Sequence, residues 1–343
     1  MQILPSVVVT VACACALAQP ASAPENALRG VFVAEAGALS PLVRTNVARD
    51  FLRALEHLPG VGERAPVWYD SQTRRALTSE QFGALPMEGD EREAFAPLPI
   101  DDRFYYAGVF GTPALYTRTL ELASAHGVAS IDGAHVLDFG FGHIGHLRAM
   151  ASLGAHCVGI EVSEMIERMY SEPGDVGVVP RHLDADAGHP GTLRLVFGSW
   201  PGDDAVRTAV GGPYDLIITK NVLKRGYIYP EREADLSQLI DLGVEDDVFI
   251  GALFDALRPG GVMVLYNYSP KQAGPDEDFI PWADGRCPFG ERQWLDAGFE
   301  VLAHDEDDTE SAIDHFVAVN AGDREALEGN LFGMYTVVRR PAD

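Results

Sequence analysis

The sequence predicts an α/β fold: one mostly parallel sheet with helices on both faces. Three observations lead there. From residue 135 onward, short apolar runs alternate with helical stretches, the rhythm of strand–helix–strand units. The segment His135 to Ser163, HVLDFGFGHIGHLRAMASLGAHCVGIEVS, holds a strand, a glycine turn, a helix and a second strand in succession. Glu161 closes that second strand about 20 residues after the turn, the place where a carboxylate receives a ribose in nucleotide-binding folds.

The elements follow in order. Residues 1–23 read as a signal peptide, because no charged side chain occurs there and Val7 to Leu17 is apolar. Ala16-Leu17-Ala18 and Ala21-Ser22-Ala23 both fit the small-x-small cleavage rule, and cleavage after Ala18 avoids Pro24. The apolar run is too short for a stable membrane span. A working leader makes the protein exported, periplasmic or secreted; without one it is cytoplasmic. Residues 24–104 form an N-terminal extension or lid. Within it, Pro41 to Leu58 carries apolar residues at helical spacing (Leu42, Val47, Phe51, Leu55). Thr78 with Gln81 has the spacing of a capping box over Thr78 to Leu85. Met87 to Asp102 is acidic and proline-bearing, a loop by composition.

Residues 105–343 form the main domain. Thr112-Pro113 opens a helix to about Ala125. Strands are expected at Val136-Leu137 running into Asp138, His156 to Ile160, Leu193 to Phe197, Tyr214 to Thr219, Val262 to Tyr266, Phe299 to Ala303 and Leu331 to Arg339, seven in all. A helix from Val248 to Leu257 stops at Arg258-Pro259-Gly260-Gly261.

Composition narrows the function. The 343 residues are 47% hydrophobic and 22% charged, with a formal net charge of −25. Such a surface repels phosphate backbones and anionic lipid, so nucleic acid is excluded as a partner and a small-molecule substrate is expected. Of the four cysteines, Cys13 and Cys15 lie in the leader, and Cys157 reads as a small buried hydrophobe. Their spacing fits neither a zinc site nor a disulfide framework, and no metal is expected.

The glycines at 140, 142 and 145 do not by themselves separate a nicotinamide site from one for S-adenosylmethionine. Asp138 does. A pyrophosphate is welcome at a helix N-terminus, and a carboxylate in the same turn would repel it. A ligand with an ammonium and a sulfonium suits the acid. The segment resembles motif I, (D/E)xGxGxG, of class I S-adenosylmethionine-dependent methyltransferases, with Ile144 in place of the third glycine and Gly145 one place later. The later order of helix, LRPGG, strand and AGFEVL is also similar to that family. The resemblance covers roughly 105 to 340.

The resemblance implies a seven-stranded Rossmann-like sheet, whose last strand inserts antiparallel between the fifth and sixth, and S-adenosyl-L-methionine as cofactor. It places Asp138, Gly140, Phe141, Gly142, His143 and Gly145 toward the cofactor's amino-acid portion. Glu161 takes the two ribose hydroxyls, since a carboxylate accepts both hydrogen bonds. Val162 packs on the adenine, with Ser199 and Trp200 beyond the third strand and Thr219 and Lys220 at the end of the fourth. Tyr105, Tyr106, Asn221, Lys224, Arg225 and Lys271 are candidates for the substrate side. Lys220, Lys224 and Lys271 are the only lysines, and together they predict a local positive patch that binds a carboxylate. Candidate bases are His146, Tyr227 and Tyr106, with none preferred. A non-catalytic S-adenosylmethionine-binding protein and an NAD-dependent oxidoreductase stand as alternatives. An exported chain would meet a cofactor that is made in the cytosol, a conflict that the sequence leaves standing.

Overall fold

The computed structural model describes residues 25–86, 90–108, 111–182 and 188–342. The leader reading, with Cys13 and Cys15, lies outside the described residues. Eleven strands occur among them. The main sheet comprises β4 (His135–Phe139), β5 (His156–Glu161), β6 (Gly177–Val179), β7 (Gly191–Phe197), β8 (Tyr214–Lys220), β9 (Leu257–Pro270), β10 (Glu300–Asp307) and β11 (Leu331–Arg339). A separate small sheet holds β1 (Val67–Tyr69), β2 (Ala76–Leu77) and β3 (Ala96–Leu98), antiparallel in the order β2-β1-β3.

The main sheet runs β10-β11-β9-β8-β4-β5-β7-β6. The pairs β4–β5, β4–β8, β5–β7 and β8–β9 are parallel. β11 lies between β9 and β10 and is antiparallel to both, as the resemblance implies. The sheet has eight strands where seven are expected, because β6 adds a short antiparallel edge to β7. β9 starts earlier than expected, at Leu257. The Arg258-Pro259-Gly260-Gly261 turn is drawn into the sheet, with the Gly260 N–H donated to Arg340 O and the Arg340 N–H to Gly261 O.

Strand periodicity divides the core between two faces. Val136, Leu216, Ile218, Val262, Val264 and Tyr266 point to one, and Leu137, Ile217, Met263 and Leu265 to the other. The helices Asn46–Leu55, Thr117–Ala125 and Gly145–Ser152 cover the first face, contributing Phe51, Leu120 and Leu147. The helices Asp204–Val210, Asp246–Ala256 and Glu291–Asp296 cover the second, with Phe249 and Trp294 fully buried. The N-terminal extension therefore shares its core with the sheet.

Local chemistry explains the extension's helices. Thr45 caps Asn46–Leu55 by accepting from the Ala48 N–H, so this helix is shorter than the span the periodicity predicts. Thr78 and Gln81 form the expected capping box. A helix the sequence reading missed, Asp102–Ala107, is capped by Asp101 and stopped at Gly108 (φ 55°, ψ −151°), a conformation that L side chains avoid. Thr112-Pro113 starts a 3₁₀ turn, Pro113–Tyr116, before the helix proper, Thr117–Ala125. Among the described residues no helix is long and apolar enough to cross a membrane.

Candidate functional site

The glycine turn follows β4 at the carboxyl edge of the parallel strands, where the strand order reverses between β4 and β8. Open sheets of this kind bind ligands there. Gly140 (φ 74°) and Gly142 (φ 60°) are in the left-handed region. A methyl on Gly140 would sit 2.5 Å from Val222 Cγ2, so the turn and the loop after β8 meet through a missing side chain.

Glu161 ends β5 beside this turn. Its Oε2 accepts the Gly142 N–H at 3.2 Å, and its Oε1 accepts those of Val162 at 2.8 Å and Ser163 at 3.3 Å. Burial raises its pKa, while the three N–H groups pull the other way. The side chain is half-buried, so lone pairs remain for a ligand. Val162 is 72% exposed and Ser199 is exposed, both open to whatever lies against Glu161. Phe139, Phe197 and Gly198 are half-buried nearby.

Asp138 is placed otherwise. It is fully buried, and its Oδ2 lies 2.5 Å from His146 Nε2. His146 is stacked face to face on Tyr116, with ring centroids 3.5 Å apart. His143 meets both edge-on, 5.9 Å from Tyr116 and 5.0 Å from His146. Lys220 Nζ lies 5.1 Å from the Tyr116 ring and 5.1 Å from that of Tyr268. Burial drives the Asp138 carboxyl well above the usual range, against the pull of Lys220 and the Tyr116 hydroxyl. Burial holds both histidines well below theirs, with Lys220 adding to it, so both are neutral rings. Asp138 Oδ1, His143 Nδ1, His146 Nδ1 and Thr219 Oγ1 are buried with no hydrogen-bond partner. Orphaned polar atoms in a buried site mark a place where a polar ligand or water is missing.

No spacing rule anticipates how closely the segment after residue 104 and Tyr170 hold the turn. Tyr170 accepts the Ile144 N–H at 3.2 Å and donates to Tyr105 O at 2.6 Å. Gly108 packs on Gly142 and His143, and a side chain at Gly145 would run into Tyr106 O. Ile144 is fully buried, so the residue replacing the motif's third glycine faces the core. Phe141 is likewise buried and fills the space over Gly159.

Several expected site residues are used elsewhere. Tyr105 donates to Asp175, which also takes Arg64 through two hydrogen bonds, and Tyr106 donates to Pro59 O; both hydroxyls serve the extension. Trp200 is a core residue packed between Phe139 and Phe249, and is no platform for adenine. The predicted positive patch does not form. Lys224 is buried and donates to the backbone carbonyls of Tyr268 and Trp282. Lys220 is buried against the two tyrosine rings, and Lys271 is exposed. Asn221 (φ 62°) locks the loop after β8: its N–H goes to Asn267 Oδ1 and Tyr266 O, and its Oδ1 accepts from Tyr268. Arg225 is half-buried, its N–H bonded to Arg286 O and its Nε without a partner. Tyr227 is half-buried, and burial raises its hydroxyl to about 12, which disfavours it as a base at neutral pH. Among the described residues no group of three His, Cys, Asp or Glu side chains is placed to hold a metal ion.

No protein-family model and no curated protein sequence matches the chain. Solved structures are similar to it at low identity and low TM-score. Phosphoethanolamine N-methyltransferase 2 of Haemonchus contortus, in complex with phosphomonomethylethanolamine and S-adenosylhomocysteine, is 14% identical over 72% of this chain and 62% of that one, with a TM-score of 0.40. The 4+2 cyclase SpnF is 16% identical over 94% and 98%, with a TM-score of 0.38. A geranyl diphosphate methyltransferase, in complex with geranyl diphosphate and sinefungin, is 12% identical over 66% and 82%, with a TM-score of 0.36. The fold stands on this chain's own strand order and the antiparallel β11.

Proposed function

We propose that this chain binds S-adenosylmethionine at the ends of β4 and β5 and transfers its methyl group to a small acceptor. The observation that carries the reading is Glu161: a half-buried carboxylate at the end of β5, fixed by three backbone N–H groups beside a glycine turn that begins two residues after an acid. The residues fit the cofactor. Glu161 keeps acceptor capacity for a ribose diol, the exposed Val162 and Ser199 border the space beyond it, and the orphaned Asp138 Oδ1 and Thr219 Oγ1 suit a polar amino-acid end. The chemistry the cofactor would supply there is an electrophilic methyl on a sulfonium, whose carbon–sulfur bond would break to leave a neutral thioether as the acceptor takes the methyl in line.

The chain's part is to orient and exclude water. Gly140 lets the loop after β8 close on the turn, and the Asn221–Asn267 pair holds that loop in one register. Tyr116 covers the inner end. Strand order of this kind supports many chemistries, so function is argued from these residues.

A thermal-shift comparison tests the reading. S-adenosylhomocysteine at 100 times its dissociation constant stabilises by about 2.7 kcal/mol, while NAD leaves the midpoint in place. A shift with NAD and none with S-adenosylhomocysteine refutes the assignment.

A further inference from the structure

The inner end of the site carries more buried ionisable chemistry than holding a ligand requires. Asp138 and His146 are each 0% exposed and 2.5 Å apart through Oδ2 and Nε2. Around them stand Tyr116 on the 3₁₀ turn Pro113–Tyr116, His143 in the glycine turn, Cys157 and Glu161 on β5, and Lys220 on β8 with Tyr268 of β9 beyond it. His143 and His146 are neutral, as is Tyr116, whose hydroxyl burial raises further. Cys157 is a buried thiol, likewise kept protonated by burial. The formal charges near the pair are then the Lys220 ammonium and the Glu161 carboxylate, which cancel. In so dry a cluster a further charge is costly unless it is matched.

We propose that the Asp138–His146 pair holds one extra proton in the free protein and gives it up when a ligand of net positive charge enters the glycine turn, so that the site distinguishes the cationic cofactor from its net-neutral product by proton release. This deepens the proposed function and rests on it. S-adenosylmethionine carries two positive groups and one carboxylate, a net charge of +1. S-adenosylhomocysteine has lost the sulfonium and is net neutral. With the proton in place, the pair is neutral: the Asp138 O–H donates to His146 Nε2, and Nδ1 carries the ring N–H. After release the carboxylate accepts from the Nε2–H, Nδ1 becomes an acceptor, and the pair's single negative charge offsets the ligand's. The proton leaves to solvent, and no covalent bond other than those to hydrogen changes. The burial of Asp138 has the sign this needs. A carboxyl held high in the free protein and lowered by a bound cation releases a proton on binding, and affinity then rises with pH between its two pKa values.

The test is isothermal titration calorimetry at pH 6.5, with each ligand in phosphate and in bis-Tris buffer, whose heats of ionisation differ. The ligands' amino groups stay protonated at that pH. The expected result is release of one proton per S-adenosylmethionine and none per S-adenosylhomocysteine, with affinity for the first rising about tenfold per pH unit and affinity for the second flat. Asp138→Asn and His146→Gln remove the buffer dependence. Where Asp138→Asn fails to fold, His146→Gln and the wild-type pair of buffers still decide. Binding of S-adenosylmethionine with equal heats in both buffers overturns the proton release and leaves the proposed function standing. Binding of neither ligand overturns the proposed function and this inference with it.

Discussion

The two carboxylates at the ends of neighbouring strands, Glu161 on β5 and Asp138 on β4, meet opposite environments. Glu161 is half open, held by three backbone N–H groups, and keeps acceptor capacity toward the edge of the sheet. Asp138 is closed in, its Oδ2 against His146 Nε2 and the Tyr116 hydroxyl also hydrogen-bonded to its carboxyl. The difference comes from the chain outside the motif. Val162 beside Glu161 is 72% exposed, whereas the 3₁₀ turn Pro113–Tyr116 lays Tyr116 over His146. The two carboxyl groups are therefore used differently: Glu161 offers lone pairs at the open edge, and the covered Asp138 turns Oδ2 to His146 while Oδ1 has no partner.

The largest expected effect falls on the covered end. Tyr116→Ala removes the ring stacked on His146 and opens the cluster to water, which costs roughly 3–5 kcal/mol, as for a buried aromatic truncated to alanine. Urea denaturation measures it. A loss below about 1 kcal/mol would show that the ring is no part of the seal, against the range for such truncations. Next comes the open end. Glu161→Gln keeps the shape but gives up charge-assisted hydrogen bonds worth about 1.5–3 kcal/mol, so S-adenosylhomocysteine binds roughly 10- to 100-fold more weakly while the fold holds. Equal affinity in the variant would remove Glu161 from the site.

This contrast also marks how far the sequence could be read. The succession of strands along the chain, the Thr78 capping box and the position of Glu161 were legible from local periodicity, capping chemistry and a spacing along one βαβ unit, whereas the antiparallel place of β11 came only through the motif resemblance. Tyr105, Tyr106 and Trp200 were misplaced because their partners, Asp175, Pro59, Phe139 and Phe249, lie far along the chain or across the sheet, where no spacing rule reaches. The small sheet β1–β3 and the helix Asp102–Ala107 were missed for want of length: two or three residues per strand carry too little periodicity to register. The dependence of the glycine turn on Gly108, Tyr116 and Tyr170 was hidden for the same reason, since each contact spans tens of residues.

The lysines sharpen the comparison at smaller amplitude. Lys224 is tied to the carbonyls of Tyr268 and Trp282, so Lys224→Met leaves both without that donor and destabilises by about 1–3 kcal/mol. Burial, with Lys220 nearby, lowers its pKa to about 7. A lysine lowered by folding binds fewer protons in the native than in the unfolded state between that value and its ordinary one near 10.4. The sign of the linkage then makes stability rise with pH across that window. Denaturation between pH 7 and 9.5 should show the rise in the wild type and a flatter profile in Lys224→Met; identical profiles would mean that the two carbonyls keep the ammonium charged throughout.

Lys271 gives the smallest effect and the cleanest control. Its side chain is exposed at the end of β9, and only its backbone N–H is engaged, with Asn330 O, a bond that any residue but proline retains. Lys271→Ser should leave the melting midpoint and the affinity for S-adenosylhomocysteine unchanged. A measurable loss of affinity would restore a role for positive charge at this edge and make Arg225, half-buried with an unpartnered Nε, the next residue to replace. An unchanged affinity places the electrostatics of cofactor binding with the buried Asp138 cluster and Glu161 alone, because charge at an exposed site acts through water and salt and loses its force within about 10 Å.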